Sequence, residues 1–256
     1  MNIILLDDPN IWRQFLPLTY TRPISFLRCG ILTLGEKWQH QLGQTTGVYS
    51  ENYLQEKYNV QWATENLVIN SSVLPTPELI KAIQTLREGE ILMKGTQWLA
   101  AIGDESVAND IRSNQWVNLK PVSFDNDIDT LEYPWQLFQK NGKAIREDFV
   151  MLTRGRVTQP IADPHTVCYN PDQIFLEEGA QVKAAVLNAE NGPIYIGKDA
   201  RIDEGALIRG PFALGEGSTV NMGAKMRGDI TIGPHCKVAL VWYAMLRRRR
   251  FYGREK

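Results

Sequence analysis

The chain has 256 residues, enough for two domains of ordinary size. Its net charge of −1 argues against a general nucleic-acid binder, and no stretch approaches the roughly 20 apolar residues of a membrane-spanning helix. Three scattered cysteines, Cys29, Cys168 and Cys236, contain no Cys-x-x-Cys pair and suit a reducing cytoplasm.

The start is a short apolar run stopped by Asp7-Asp8, with no basic segment ahead of it and too few residues for a signal peptide, so Asn2–Leu6 reads as a buried first strand. Strand-like and helix-like segments then alternate: a helix about 36–42, a strand at 47–49, a helix at 51–58, a strand at 67–70 and a helix at 78–87. Alternation of this kind predicts an α/β domain with a mainly parallel sheet covered by helices. The best-marked helix begins at Thr76-Pro77, where threonine caps and proline occupies the first turn; Leu79, Ile80, Ile83 and Leu86 form its apolar stripe. Strands are expected at 90–93 and 98–102, and a helix over 134–152 broken near Asn141-Gly142. Prolines at 160, 164 and 171 mark 154–171 as a linker.

Beyond the linker, an apolar residue recurs at every sixth position: Ile196, Ile202, Ile208, Leu214, Val220, Met226, Ile232 and Val238. Three residues after each of the first seven come Asp199, Gly205, Pro211, Gly217, Gly223, Asp229 and His235, mostly residues that favour tight turns. One short strand plus one corner is the repeating unit of a parallel β-helix, whose stacked coils share a core that no single unit could bury. Hairpin strands of a β-sandwich do not keep an unbroken period of six. The clear repeat spans little more than two coils; Leu176 and Val182 extend it faintly, with Asn191-Gly192-Pro193 read as a loop inserted at a corner. The expected domains are therefore 1–158 (α/β), 172–240 (β-helix) and 241–256. That last stretch has an apolar run followed by Arg247 to Arg250, continues no repeat, and suggests a truncated or frame-shifted end.

In an open α/β sheet, ligands bind beyond the carboxyl ends of the strands. Here that edge carries Asp7 and Asp8, then a loop with Arg13, Pro17-Leu18-Thr19, Arg22-Pro23 and Arg28. Carboxylates beside arginines suit a magnesium nucleotide, since carboxylates hold the metal and guanidinium groups pair with phosphate oxygens in bidentate fashion. The plain alternative is a solvated loop whose charges pair with one another.

The phrases Leu16-Pro17-Leu18-Thr19-Tyr20-Thr21-Arg22-Pro23, Gly30-Ile31-Leu32-Thr33, Glu36-Lys37-Trp38 and Tyr133-Pro134-Trp135, followed by a β-helix, give the chain its resemblance. Over most of residues 1–238 it resembles the sugar-1-phosphate nucleotidyltransferases, most closely the bacterial branch described as GlmU-like. The resemblance implies a left-handed β-helix, trimeric association, Mg2+, and a nucleoside triphosphate and sugar phosphate as substrates, of the uridylyl- or thymidylyltransferase type. It places Arg22 at the family's lysine before proline and Arg13 at its loop arginine, the two positions expected to serve catalysis. Asp7, Asp8, Arg28 and Asn70 are then expected to bind substrate, with Asp8 the candidate metal ligand.

Two departures from the family pattern stand out. No glycine lies between Asp7 and Arg13, so the backbone cradle that closes on phosphates is missing, and Asn70-Ser71 replaces the usual Gly-Asp, a neutral oxygen in place of a carboxylate. These leave room for a nucleotide-binding scaffold that has lost the reaction. A further alternative is a hexapeptide-repeat acyltransferase, for which His235 at a repeat corner is the candidate base; His40 and His165 have no obvious partners.

Overall fold

The computed structural model describes residues 1–239, so the expected terminal stretch from 241 onward lies outside the described residues. The chain divides into two compact units, Met1–Lys140 and Asn141–Lys256. The fold is α/β, with a mixed sheet and helices followed by a left-handed parallel β-helix. Among the described residues no helix is long and apolar enough to cross a membrane.

In the first unit β1 (Asn2–Leu6) leads into α1 (Pro9–Gln14), a 3-10 turn at Ile24–Phe26 and α2 (Leu34–Leu42). Then come β2 (Thr46–Tyr49), α3 (Asn52–Gln55), β3 (Asn66–Asn70), α4 (Pro77–Gln84), β4 (Glu90–Lys94), β5 (Gln97–Gly103), α5 (Glu105–Arg112) and β6 (Lys120–Ser123). The six strands lie in the order β2-β1-β3-β5-β4-β6. β5 alone runs antiparallel, because the tight Gly95 turn returns it directly alongside β4. Both sheet faces are buried, which is why β1 and β3 are apolar almost throughout. One face packs Ile3, Leu5 and Ile69 on Trp38 and Leu79; the other packs Leu6, Val68 and Ile91 on Ala108 and Ile111.

Local capping sets the helix ends. α2 starts two residues before the expected position because Thr33 and Glu36 form a reciprocal capping box, and it stops at Gly43, whose φ is 69°. α4 begins as expected, with Thr76 Oγ accepting the Leu79 N–H at 3.2 Å. The helix expected over 51–58 shrinks to the single turn of α3. The stretch expected as a loop from Asp7 to Arg13 is instead α1, started by Asp8 as cap and Pro9 in the first turn.

α6 (Pro134–Thr153) is unbroken through Asn141-Gly142, against expectation. The reason is tertiary: the Asp229 carboxylate comes so close to Gly142 that an added Cβ would lie 1.9 Å from Oδ1. Asn141 beside it donates to the Asp229 carbonyl at 2.9 Å and to Thr231 Oγ at 3.1 Å. Glycine there allows close approach, at a helix-propensity cost of about 1 kcal/mol.

Among the described residues the β-helix has four coils, more than the repeat reveals. They are β7 (Val167–Tyr169), β8 (Ile174–Leu176) and β9 (Gln181–Val182); β10 (Val186–Asn188), β11 (Ile194–Ile196) and β12 (Arg201–Ile202); β13 (Leu207–Arg209), β14 (Phe212–Leu214) and β15 (Thr219–Val220); and β16 (Lys225–Met226), β17 (Ile230–Ile232) and β18 (Lys237–Val238). Each side of the prism is a parallel sheet of one strand per coil. The Asn191-Gly192-Pro193 insertion hides the first two coils from a fixed period, yet Ile194 stays in register with Ile174 and Phe212. Ile196, Ile202, Leu214 and Val220 are fully buried in one stacked core. The corner residues Asp199, Gly205, Gly217, Gly223, Asp229 and His235 all have φ between 52° and 72°, the left-handed turn conformation that glycine and aspartate tolerate best.

The expected linker 154–171 is instead the end cap of this coil stack, over 154–166, followed by its first strand, β7. Gln159 N–H donates to the Leu176 carbonyl at 2.9 Å, Thr158 Oγ accepts the Leu176 N–H at 2.8 Å, and Asp163 accepts the Ala184 N–H at 2.8 Å. Ile161 packs on the core, and Arg156 pairs with Glu177 while lying 5.2 Å from the Phe175 ring. An uncovered end would expose a strand edge and apolar side chains together.

Ile202→Ala should cost about 2–5 kcal/mol of unfolding free energy in urea, because a fully buried side chain leaves a cavity bounded by two neighbouring coils. Arg201→Ala, on the outer face next door, should stay within about 0.5–1 kcal/mol. Equal losses for both would contradict the stacked-core arrangement.

Candidate functional site

Strands β1, β2 and β3 run parallel, in register, and end at one edge of the sheet. Asp7 follows β1 and is 2% exposed. Its Oδ2 accepts hydrogen bonds from Ser50 Oγ at 2.6 Å, just past β2, and from the Ile24 N–H at 3.1 Å. Its Oδ1 accepts one from Ser71 Oγ, just past β3. Burial pushes the Asp7 carboxyl up to about 6; the hydrogen bonds from Ser50, Ser71 and Ile24 and the charge of Arg112 pull it down without cancelling the desolvation.

The other predicted carboxylate and amide are also engaged. Asp8 Oδ1 accepts the N–H groups of Asn10 at 2.8 Å and Ile11 at 3.3 Å, and Oδ2 faces Trp98 Nε1 at 3.4 Å. Asn70 donates to the Trp98 carbonyl at 3.1 Å, while its Oδ1 accepts from the Ser72 N–H at 3.1 Å and Ser72 Oγ at 2.7 Å. Arg28 donates to the Ile31 carbonyl and lies 3.5 Å from the Glu36 carboxylate. The oxygens of Asp7 and Asn70 are thus held by buried donors, and Asp8 alone keeps a partly exposed one. Among the described residues no three His, Cys, Asp or Glu side chains converge as a cation cage. The positive charge the edge offers is guanidinium.

Arg13 and Arg22 differ from Arg28. Both are exposed, and neither guanidinium has a hydrogen bond or ion pair among the described residues. Arg13 lies in the last turn of α1 and Arg22 at the end of the 16–23 loop. That loop is tied down by side chains instead of a glycine cradle. Buried Thr19 donates to the Trp12 carbonyl at 2.8 Å, the Tyr53 hydroxyl donates to the Tyr20 carbonyl at 2.8 Å, and Tyr58 reaches the Thr21 carbonyl at 3.5 Å.

Sequence reasoning missed the cleft beside β2, about 530 Å3, bordered by Arg13, Tyr49, Glu51, Asn109 and Arg112. Of the predicted residues only Arg13 reaches it. Arg112 donates to the Ser50 carbonyl at 2.8 Å and to Glu51 at 3.2 Å, and stands 4.8 Å from the Tyr49 ring. The available signal was Asp104-Glu105, an N-cap with an acidic first turn, which starts the amphipathic helix α5 that carries Arg112.

An open mixed sheet covered by helices, its first strand ending in aspartates, defines a domain of the α/β class. More particularly, the chain belongs to the sugar nucleotidyl transferase family, whose model matches residues 3–157. No curated protein sequence matches the chain.

Asp7 has a pH consequence. Its folded value of about 6 exceeds the 3.8 of an ordinary aspartate, so its contribution to stability is full below pH 4 and is lost as pH rises through 6. The difference in unfolding free energy between wild type and Asp7→Asn should therefore change by on the order of 2–3 kcal/mol between pH 4 and pH 7, against wild type at the higher pH. Urea titrations at both values check this; a pH-independent difference would show that Asp7 ionises normally in the folded chain.

Proposed function

We propose that the chain joins a nucleoside triphosphate, of the uridine or thymidine class, to a sugar-1-phosphate and releases pyrophosphate. The observation that carries this reading is the pair Arg13 and Arg22, exposed and unpartnered after β1 in a domain of this family. A phosphate oxygen of the sugar-1-phosphate attacks the α-phosphorus. The new P–O bond forms as the α–β bridging P–O bond breaks, and the bridging oxygen leaves with pyrophosphate. No protein nucleophile is needed, so placing two anions in line and balancing their charge is the main catalytic task. Free guanidinium groups suit it. Arg28, already paired with Glu36, is assigned to holding the loop.

A second reading, nucleotide binding without transfer, is favoured by the engagement of Asp7 and Asn70 in hydrogen bonds of the fold. The acyl-transfer reading draws nothing from His235: it sits exposed at a corner over Gly217, and its ring has no carboxylate partner among the described residues. We further propose trimeric self-association through the sheet of β7, β10, β13 and β16. There Val167, Val186 and Leu207 stand in one register, with Val167 at 47% and Leu207 at 44% exposure. A monomer in light scattering at micromolar concentration would contradict this.

Arg22→Ala should weaken binding of UTP or dTTP roughly ten- to a hundredfold, the loss of a bidentate contact to phosphate. Arg22→Lys should recover part of that, since charge survives while the fork is lost. Both should keep stability within about 0.5 kcal/mol, because Arg22 holds no partner in the fold. Calorimetric titration and melting curves measure the two effects separately. Nucleotide binding with no pyrophosphate release, whichever sugar phosphate is supplied, selects the second reading; no binding at millimolar concentration with magnesium overturns both.

A further inference from the structure

Buried polar side-chain atoms nearly always have hydrogen-bond partners, because an unpartnered one forfeits its hydration for nothing. Among the described residues two such atoms lack a partner, Trp12 Nε1 and Ser25 Oγ. Trp12 is 7% exposed and Ser25 1% exposed. They are not scattered: they bracket the 16–23 loop that carries Arg22. Trp12 lies on α1, which Asp8 caps, and its carbonyl receives the Thr19 hydroxyl of that loop. Ser25 lies in the 3-10 turn directly after the loop, next to Ile24, whose N–H is held by Asp7. The stretches that carry the two groups are thus each tied to an aspartate that ends β1, and between them the Thr19 hydroxyl and the Tyr20 and Thr21 carbonyls are engaged.

Their chemistry points one way. An indole N–H only donates, and a serine hydroxyl can supply a second donor. Together with the unpartnered guanidinium groups of Arg13 and Arg22, residues 12–25 present donors and positive charge with no acceptor assigned to them. We propose that Trp12 Nε1 and Ser25 Oγ are phosphate-binding donors of the nucleotide site, reached when the 16–23 loop shifts and pairs them with the triphosphate of the incoming nucleotide. This rests on the nucleotide-binding reading above. It also supplies what the missing glycines leave out: fixed N–H and O–H donors that take over from a backbone cradle. The free protein carries two unsatisfied donors, and the ligand satisfies them, so loop movement is coupled to binding by differential hydrogen bonding.

The test uses the full chain with UTP and dTTP, each with magnesium. Ser25→Ala removes the hydroxyl with almost no change of volume. Because that hydroxyl has no partner in the free protein, the melting temperature should hold or rise, whereas nucleotide affinity should fall about tenfold. Trp12→Phe should also weaken binding about tenfold, and it identifies one of the seven tryptophan indole N–H signals by subtraction. In 15N-tryptophan-labelled wild type that signal should move downfield on titration with UTP or dTTP. Unchanged affinity in Ser25→Ala and Trp12→Phe, with a stationary indole signal, overturns the proposal, whether or not the variants melt earlier. Since wild type must bind nucleotide in the same titration, that failure is distinct from failure of the nucleotide site itself.

Discussion

Asp7 is the point on which the candidate edge of the sheet depends. It stands where β1, β2 and β3 all finish, and its two oxygens gather Ser50, Ser71 and the Ile24 N–H into one buried cluster. Each strand end would otherwise run into its own loop. One carboxylate, shielded from water, instead fixes three loop origins relative to one another, and the desolvation that raises its pKa is the cost of that arrangement. A position that could be taken for a ligand to substrate is thereby seen to organise the residues around it.

From this anchor the charges separate into two groups. Arg28 and Arg112 are spent inside the fold: one braces Glu36 and the Ile31 carbonyl, the other joins α5 to the end of β2. Arg13 and Arg22 remain unpaired among the described residues. A paired guanidinium has already exchanged its hydration for a protein partner, whereas an unpaired one can still make that exchange with phosphate. The family match spans residues 3–157 and so includes both of these arginines. The orphan donors of Trp12 and Ser25 lie along the same stretch of chain.

The second unit obeys different physics. Among the described residues no strand of the β-helix is longer than three residues, so none could persist alone; stability comes from repetition, each apolar side chain lying over its equivalent in the next coil. Such a stack must be closed at its ends. The segment 154–166 closes the first one by lending backbone and side-chain hydrogen bonds to Leu176 and Ala184, and by tying Arg156 to Glu177.

What the amino-acid sequence by itself determined was whatever depends on near neighbours or strict period. The β-helix from Ile196 to Val238, the capped helix after Thr76-Pro77 and the apolar strands β1 and β3 are legible because the pattern itself is the physical cause. So was the location of the candidate site, since loops after parallel strands meet at one edge. Tertiary structure alone decided the matters that turn on distant partners. It decided that Gly142 lets Asp229 approach instead of breaking α6, that a proline-bearing stretch caps a β-helix, and that four coils stand where the period shows little more than two. It also decided which charged residues are free. Asp7, Arg28 and Asn70 read in sequence as ligand groups because their types are right, but their partners come from Ser50, Glu36 and Trp98, and no local pattern encodes a hydrogen bond made across the fold.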